Sequence, residues 1–342
     1  MESSQFSKLI IDPMFTKVLE DLARVGIRVD SPYNEMITFE DQKESPGAND
    51  SIRFLESNAK YKLNPSNPNS LADGRRVCAY DESLVRVTSL EGSGFFIPHS
   101  IIMMDKNRYL PFVYLTFHFY TKSKRIADGN NSLSFSLDPP EIASKRQYIA
   151  DRFKVLTENV PSFSLLLIDG PLVGGQITEK NLQLNETLLS KDIAALFIVK
   201  NSDSSLVVDN IPNLRGQYNS DFEWAYKTLG LGERTSFVKY TDLTDPGKRR
   251  NKVFCYLKAF NASPIRLELH ESTYLRYFGI IDSILNTVYF LLLAQGDATN
   301  PQPRPVAIAE KYAREVLKMI SVDQVVYKAG IMPTMNYTRF GW

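Results

Sequence analysis

Residues 164–172 read Ser-Leu-Leu-Leu-Ile-Asp-Gly-Pro-Leu, an apolar run that stops on a carboxylate. Such a run, closed by Asp-Gly-Pro, predicts a buried β-strand that ends in a turn. Asp169 would then lie at the edge of a sheet, where a rigid strand holds an acid for metal or acid–base chemistry. Asp-Gly is also common in ordinary turns, so a purely structural aspartate stays open as an alternative.

A second stretch has the same form. Residues 77–83 read Val-Cys-Ala-Tyr-Asp-Glu-Ser and put Asp81 at the end of a short apolar run. Acids from two different strands can share a divalent cation, which is a usual way to hydrolyse a phosphodiester. A turn or an exposed hairpin is the alternative for Asp81. Asp73, which precedes Gly74, is a weaker strand-end acid because a polar stretch leads into it.

The composition is that of an ordinary globular protein, with 342 residues, of which 43% are hydrophobic and 23% charged. A formal net charge of +1 gives no global attraction to nucleic acid or membrane, so any basic surface must be local. The cysteines, Cys78 and Cys255, fall inside strand-like runs. This predicts reduced thiols and a cytoplasmic location. The sequence shows no zinc-site spacing, and its first residues do not have the pattern of a signal peptide.

The order of patterns predicts a mixed α/β fold around one central sheet flanked by helices. Apolar periodicity predicts a helix over residues 5–29, and the polar, turn-rich residues 40–75 are expected to form a loop or insertion. Strands are expected through 76–120, followed by alternating helices and strands and by two closing helices. We therefore divide the chain into an N-terminal extension, residues 1–75, and a main domain, residues 76–342.

One apolar stretch, residues 278–295, is nearly long enough to cross a bilayer. Asp282, Ser283, Asn286 and Thr287 interrupt it, and a charge inside a span costs roughly 3 kcal/mol on insertion scales. A helix buried in a core or in a subunit interface is therefore the better interpretation, and no membrane association is expected.

Two acids in helical segments are further candidates. Asp151 lies beside apolar residues in the segment that leads to the strand at 164–168. A solvated acid paired with Lys145 or Lys154 is the simpler interpretation of Asp151. Glu310 follows the proline-rich start of a late helix, where a capped amphipathic helix is the alternative.

Several cations are candidates for contacts with phosphate. Lys200 ends an apolar run, and a lysine there could hold a phosphate near the strand-end acids. The basic run at residues 248–252 would suit non-specific phosphate contacts as a loop, although a solvated hairpin tip is its default interpretation. The candidate basic residues other than Lys200 are Lys248, Arg249, Arg250 and Arg304.

Five segments, in this order, resemble motifs of the NurA nuclease family. They are Ala-Tyr-Asp-Glu-Ser at 79–83, Leu-Leu-Ile-Asp-Gly-Pro-Leu at 166–172, Phe-Ile-Val-Lys-Asn-Ser-Asp-Ser at 197–204, the paired strands at 254–258 and 264–268, and Pro-Arg-Pro-Val-Ala-Ile-Ala-Glu at 303–310. The resemblance extends from about residue 77 to the end of the chain, and it rests on order and local pattern.

The resemblance implies an RNase H-like core and a two-metal site that uses Mn²⁺ or Mg²⁺. It also implies nuclease activity on DNA ends, a homodimer, and a HerA-type hexameric translocase as partner. By position, Asp81 and Asp169 would be metal ligands. Asp151 would replace the helix carboxylate, which is usually glutamate, and Lys200 would contact phosphate.

Three further positions depart from the family pattern. Gln302 stands where a tyrosine is usual, and Glu310 stands where a histidine is usual. Glutamate can replace histidine as an oxygen ligand for a hard cation, so Glu310 joins the expected ligands. Glu82 stands where the first motif usually has glycine, which keeps Asp73 open as the first acid.

The sequence therefore predicts a metal-dependent DNA nuclease that processes DNA ends. The first alternative is a catalytically inactive NurA-like subunit that clamps DNA or docks on a translocase. The second is an α/β binding protein whose Asp-Gly segments are only turns.

Overall fold

One mixed β-sheet organises the part of the chain that the computed structural model describes. These residues are 52–65, 72–105, 108–124, 133–173, 178–241, 250–328 and 334, and they belong to one compact unit. The helix predicted over 5–29 lies outside the described residues.

Thirteen strands make up the sheet within these residues. Their bounds are β1 Ile52–Phe54, β2 Lys60–Lys62, β3 Arg76–Glu82, β4 Val85–Thr88, β5 Ser93–Asp105, β6 Arg108–Thr121, β7 Leu133–Phe135, β8 Ser164–Asp169, β9 Ile193–Val199, β10 Glu233–Thr235, β11 Val238–Tyr240, β12 Lys252–Lys258 and β13 Ile265–His270. The main path runs β1-β11-β12-β13-β9-β8-β3-β5-β6-β7, with β10, β2 and β4 off it. β3, β8 and β9 are parallel neighbours near the middle of this path.

Helices cover both faces of the sheet. Their bounds are α1 Pro140–Asn159, α2 Thr178–Ser190, α3 Leu206–Asn210, α4 Asp221–Thr228, α5 Glu271–Arg276, α6 Ile281–Gln295, α7 Arg304–Met319 and α8 Val322–Lys328. Residues of α6 and α7 pack with Val77, Ala79, Leu165 and Leu167 on one face. Residues of α1 and α2 pack with Cys78, Tyr80, Leu166 and Ile168 on the other face.

Alternation along β3 and β8 decides which side chains face which helices. Successive residues of a strand point to opposite faces, and both faces of these strands are buried, as the unbroken apolar runs predict. Asp81 and Asp169 continue the positions of Ala79 and Leu167. Both acids therefore lie on the face that α6 and α7 cover.

The apolar stretch at 278–295 meets the length and hydropathy criteria for a membrane span. In this fold it begins as a 3₁₀ turn, Phe278–Ile280, and continues as α6. Ile284, Leu285, Val288 and Leu291 of α6 are fully buried in the core beneath the sheet. α6 therefore packs as a core helix, as the polar residues that interrupt the apolar stretch predict.

The mixed α/β fold with a central sheet flanked by helices is confirmed. The expectation for residues 40–75 was wrong in part, because Ile52–Phe54 and Lys60–Lys62 form strands that pair with β11 and β10. These strands are only three residues long, so they depend on pairing with the sheet for their order. The division at residue 75 stays a prediction.

Candidate active site

Two aspartates lie side by side at the carboxyl ends of adjacent parallel strands. Tyr80 of β3 is in register with Ile168 of β8, so the next residue in each strand, Asp81 and Asp169, projects from the same edge and the same face. Asp81 is 6% exposed, and Asp169 is partly open, with 21% of its side chain exposed. The pairing predicted from the two apolar runs is therefore present.

The surroundings of Asp81 disfavour its charged form. Burial, together with repulsion from the carboxylates of Asp169 and Glu82, raises the pKa of Asp81 to about 8, and the cation of Lys200 acts in the opposite direction. Asp81 and Asp169 therefore have too little positive charge nearby to offset both of their carboxylates. A bound cation would relieve both the desolvation and the repulsion.

Lys200 supplies the nearest positive charge. It follows β9, whose Ile198 is in register with Asp169, and its Nζ lies 3.0 Å from Asp169 Oδ2. The same Nζ lies 3.9 Å from Glu310 Oε2. The structure thus brings together four of the predicted residues, Asp81, Asp169, Lys200 and Glu310, from three strand ends and one helix.

Residues at the start of α7 complete this cluster. Gln302 Oε1 accepts a hydrogen bond from Lys200 Nζ at 2.9 Å, and Gln302 Nε2 donates to Glu310 Oε2 at 2.9 Å. Glu310 also forms an ion pair with Arg314 one turn further along α7. Sequence reasoning noted Gln302 only as a departure from the family pattern, and nothing in the local sequence indicates that its amide joins two charged residues.

A polar groove of about 330 Å³ opens beside this cluster and gives it access to solvent. Gln302 and Glu310 line it together with Lys311, Arg314 and Lys318 of α7. These three cations lie three and four residues apart, so they share one side of the helix.

Asp151 does not lie with the other acids. It belongs to α1, on the opposite face of the sheet, where it forms a hydrogen bond with His118 Nε2 of β6 and accepts another from Gln147 at 3.3 Å. Although burial opposes the shift, the hydrogen bond with His118 lowers the pKa of Asp151. Helical spacing predicts which residues share one side of α1, but not which face of the sheet α1 covers.

A second polar network lies behind Asp81, on the face covered by α1. Tyr148 donates to Glu82 Oε1 at 2.7 Å, and Arg152, which is 3% exposed, donates to Tyr148 Oη at 3.4 Å. The Arg152 guanidinium lies 5.4 Å from the centre of the Tyr80 ring. Tyr80 in turn shares a 2.7 Å hydrogen bond with His99 Nδ1 of β5. No sequence signal pointed to this network, which joins β3, β5 and α1.

The remaining predicted residues lie apart from the cluster or outside the described residues. Arg250 pairs with Glu179 of α2, and Arg304 donates to the carbonyl of Ala294 at 3.1 Å. Lys248 and Arg249 lie outside the described residues. Asp73 lies in a turn before β3, at the other end of the strand from Asp81.

The donor set suits a hard cation with few protein ligands. Within the described ranges, no three His, Cys, Asp or Glu side chains are grouped closely enough to hold a metal ion. Asp81 and Asp169 nonetheless offer two adjacent carboxylates, and Mg²⁺ is usually held by one or two carboxylates plus waters and substrate phosphates. The pair therefore fits one such ion, whereas the four-acid site predicted from sequence is not assembled.

The family assignment agrees with this geometry. The NurA domain family matches residues 90–315. This chain belongs to the NurA family. The matched range contains Asp169, Lys200 and Glu310 but begins after Asp81. No curated protein is significantly similar to this chain.

One solved structure supports the fold. The NurA nuclease from Sulfolobus solfataricus is 13% identical, with 94% of this chain and 98% of that chain covered and a TM-score of 0.50. Endonuclease V from Bacillus subtilis is 9% identical over 76% of this chain and 87% of its own, with a TM-score of 0.39. A NurA structure with manganese is 11% identical over 47% of this chain and 30% of its own, with a TM-score of 0.21. At such TM-scores the last two indicate nothing about the activity of this chain.

Proposed function

We propose that this NurA-family chain is a divalent-metal-dependent deoxyribonuclease that hydrolyses phosphodiester bonds during DNA end processing. The observation that carries the proposal is the pairing of Asp81 and Asp169 at adjacent strand ends, with Lys200 Nζ 3.0 Å from Asp169. Two acids and a cation at one open edge of a sheet are the groups that metal-assisted phosphodiester hydrolysis requires.

Asp81 and Asp169 would hold Mn²⁺ or Mg²⁺, with Glu310 as a further oxygen ligand. Asp81, with a pKa raised to about 8, would give up its proton as positive charge arrives. When bound, the cation would act as a Lewis acid on the phosphate and lower the pKa of an attacking water.

Lys200 would contact the phosphate. Its ammonium group lies between Asp169 and Glu310, so a phosphate bound to the acids through the cation would come within its reach. A charge-assisted hydrogen bond from Nζ to a phosphate oxygen would orient the scissile group and stabilise charge that develops on it.

The DNA backbone would approach along the groove beside α7. Lys311, Arg314 and Lys318 line this groove together with the acids Asp297, Glu310 and Glu315. Such cations contact phosphates without reading sequence. Lys248, Arg249, Arg250 and Arg304 are proposed as further backbone contacts. With a net charge of +1, binding would depend on these local cations rather than on a global field.

A homodimer, a HerA-type hexameric translocase as partner and a cytoplasmic location complete the proposal. They follow from the family resemblance. The dimer has separate physical support in β6, because exposed apolar side chains line this strand, among them Leu110, Tyr114, Leu115 and Phe117. Alternation puts Leu110 and Tyr114 on one face of β6 and Leu115 and Phe117 on the other, and exposed apolar side chains along an edge strand mark an interaction site.

An inactive DNA-clamping or translocase-docking subunit is the second candidate function. Its support is that Lys200 and Arg314 pair with Asp169 and Glu310, and that Asp151 lies on the opposite face of the sheet. An acidic site that is already neutralised by its own cations binds metal less readily, because the metal must displace them.

Cleavage of end-labelled single- and double-stranded linear DNA in Mn²⁺ separates the two candidates. We expect the wild-type chain to cleave, alone or with a HerA-type translocase, and Asp169→Asn to lose at least about a hundredfold in rate, as expected for loss of a group that acts in the transition state. Asp105→Asn, at the exposed end of β5, is the matched control and should cleave like wild type. Absence of cleavage in all preparations, with DNA binding retained, would favour the inactive subunit.

A further inference from the structure

Gln302 occupies the centre of the charged cluster, although it carries no charge. It lies one residue before Pro303, which caps the start of α7, and it is 4% exposed. Its side-chain amide uses both ends, because Oε1 accepts from Lys200 Nζ and Nε2 donates to Glu310 Oε2, each at 2.9 Å. A buried amide with both groups satisfied is held in a single orientation.

The chemistry of the two neighbours fixes that orientation. A lysine ammonium only donates hydrogen bonds, and a carboxylate only accepts them. The amide oxygen must therefore face Lys200 and the amide nitrogen must face Glu310, since the flipped amide would place donor against donor and acceptor against acceptor. A side chain that only donates or only accepts cannot satisfy both neighbours from this position.

We propose that Gln302 is a positioning residue that holds the Lys200 ammonium over Asp169 and holds the Glu310 carboxylate at the edge of the site. This role rests on the proposed nuclease function. Lys200 has a flexible four-carbon stem, and its Nζ meets Asp169 at 3.0 Å, Gln302 at 2.9 Å and Glu310 at 3.9 Å. Gln302 is the neutral member of this set, so it fixes the ammonium without adding charge that would compete with a phosphate.

Gln302→Met tests the proposal, because methionine has a similar length and no hydrogen-bonding amide. We expect kcat for linear DNA in Mn²⁺ to fall by about 10- to 100-fold, the usual range for loss of a group that orients a ligand or catalytic residue, with KM unchanged. Gln324→Met on α8, which is exposed, is the matched control and should keep the wild-type kcat. A folded Gln302→Met protein with wild-type kcat would overturn the proposal.

A double-mutant cycle with Lys200→Met distinguishes positioning from a packing role. If Gln302 acts through Lys200, the loss from Gln302→Met shrinks when Lys200→Met is already present, whereas a packing role gives the same loss in both backgrounds. Additive losses would therefore overturn the proposal even in an active enzyme.

Gln302→Glu, which keeps the shape of the side chain, provides a second test in case Gln302→Met folds poorly. Gln302→Glu keeps the acceptor for Lys200 and removes the donor to Glu310, so two carboxylates would face each other. Adding Glu310→Gln restores one donor and one acceptor at the same net charge. We expect the double variant to recover DNA affinity, measured by fluorescence anisotropy in EDTA, that Gln302→Glu alone has lost, and no recovery would overturn the proposal.

The two proposals fail in different ways. A wild-type chain without cleavage, or an Asp169→Asn chain that cleaves normally, contradicts the nuclease function. In that case the Lys200→Met cycle is repeated on DNA affinity in EDTA. Coupled losses of affinity support the positioning role, while additive losses, or no DNA binding at all, overturn it.

Discussion

At the scale of single residues, Asp81 and Asp169 differ although they are neighbours. Asp81 is buried, and its pKa is raised to about 8, whereas Asp169 is partly exposed and lies 3.0 Å from Lys200 Nζ. Asp81 therefore lacks the compensating charge that Lys200 provides to Asp169. Because a ligand carboxylate must be deprotonated, cation binding at Asp81 would release its proton and offset the desolvation of its charged form.

Mn²⁺ should therefore stabilise the folded chain. A ligand at 100 times its Kd adds about 2.7 kcal/mol to the free energy of unfolding, so we expect the wild-type melting temperature to rise by several degrees in calorimetry. Asp81→Asn should remove most of this rise, because it deletes one of the two adjacent carboxylates. Asp105→Asn should keep the rise, and an equal rise in Asp81→Asn would contradict a site at this strand edge.

At the scale of elements, the alternation of side chains along β3 places two polar clusters on opposite faces of the sheet. Asp81 points to the face under α7, whereas Tyr80 and Glu82 point to α1. His99 of the neighbouring β5 is fully buried, shares a hydrogen bond with Tyr80 and stacks on Tyr148 of α1. It thus connects three elements on the face opposite the candidate site.

The burial of His99 should make the protein sensitive to acid. Burial lowers the pKa of His99 from 6.5 to about 4, against an opposing attraction from Asp151. The imidazole of His99 is therefore protonated below about pH 6.5 in the unfolded chain but only below about pH 4 in the folded chain. The stability of the fold consequently falls as pH falls through this window. A pKa lowered from 6.5 to about 4 corresponds to about 3.4 kcal/mol at most, since one pKa unit is worth about 1.36 kcal/mol.

Urea unfolding at a series of pH values between about 7 and 4.5 measures this slope. We expect His99→Gln to be less stable than wild type near neutral pH but to lose less stability on acidification. Gln324→Met, at an exposed position of α8 that carries no titratable group, should keep the wild-type slope. A slope that His99→Gln leaves unchanged would assign the acid sensitivity to other groups.

At the scale of the whole molecule, the parts predicted correctly are those where local pattern and tertiary environment agree. The apolar runs that became β8, β9 and β12 are buried on both faces, and strands in that environment carry near-continuous apolar runs. The strand-end acids Asp81 and Asp169 followed from the same runs, since parallel strands bring their carboxyl ends to one edge.

The missed parts depend on contacts between residues distant in the chain. β1 and β2 are only three residues long, so pairing with β11 and β10 makes them strands. Asp151 was expected among the ligands because the family resemblance places it at the helix carboxylate, and local sequence does not show which face of the sheet α1 covers. Gln302 joins Lys200 and Glu310 across intervals of 102 and 8 residues, and neither spacing is a recognisable motif.

β6 forms much of one outer edge of the sheet. β5 pairs with β6 along its whole length, but among the described strands β7 pairs only with its end, Phe119–Thr121. The rest of that edge carries exposed apolar side chains, with Leu110 47% and Leu115 37% exposed. A long apolar edge strand is a template for pairing with another chain, and a second copy of this chain presents the same complementary edge.

We therefore expect the wild-type protein to elute as a dimer in size-exclusion chromatography with light scattering. Leu110→Asp and Leu115→Asp, one for each face of β6, should together shift the mass to that of one chain, because buried unpaired carboxylates oppose association. Leu90→Asp changes a residue that is 74% exposed outside β6, so it should leave the dimer intact. A wild-type monomer, or a dimer that both β6 substitutions leave unchanged, would show that this edge is not the interface.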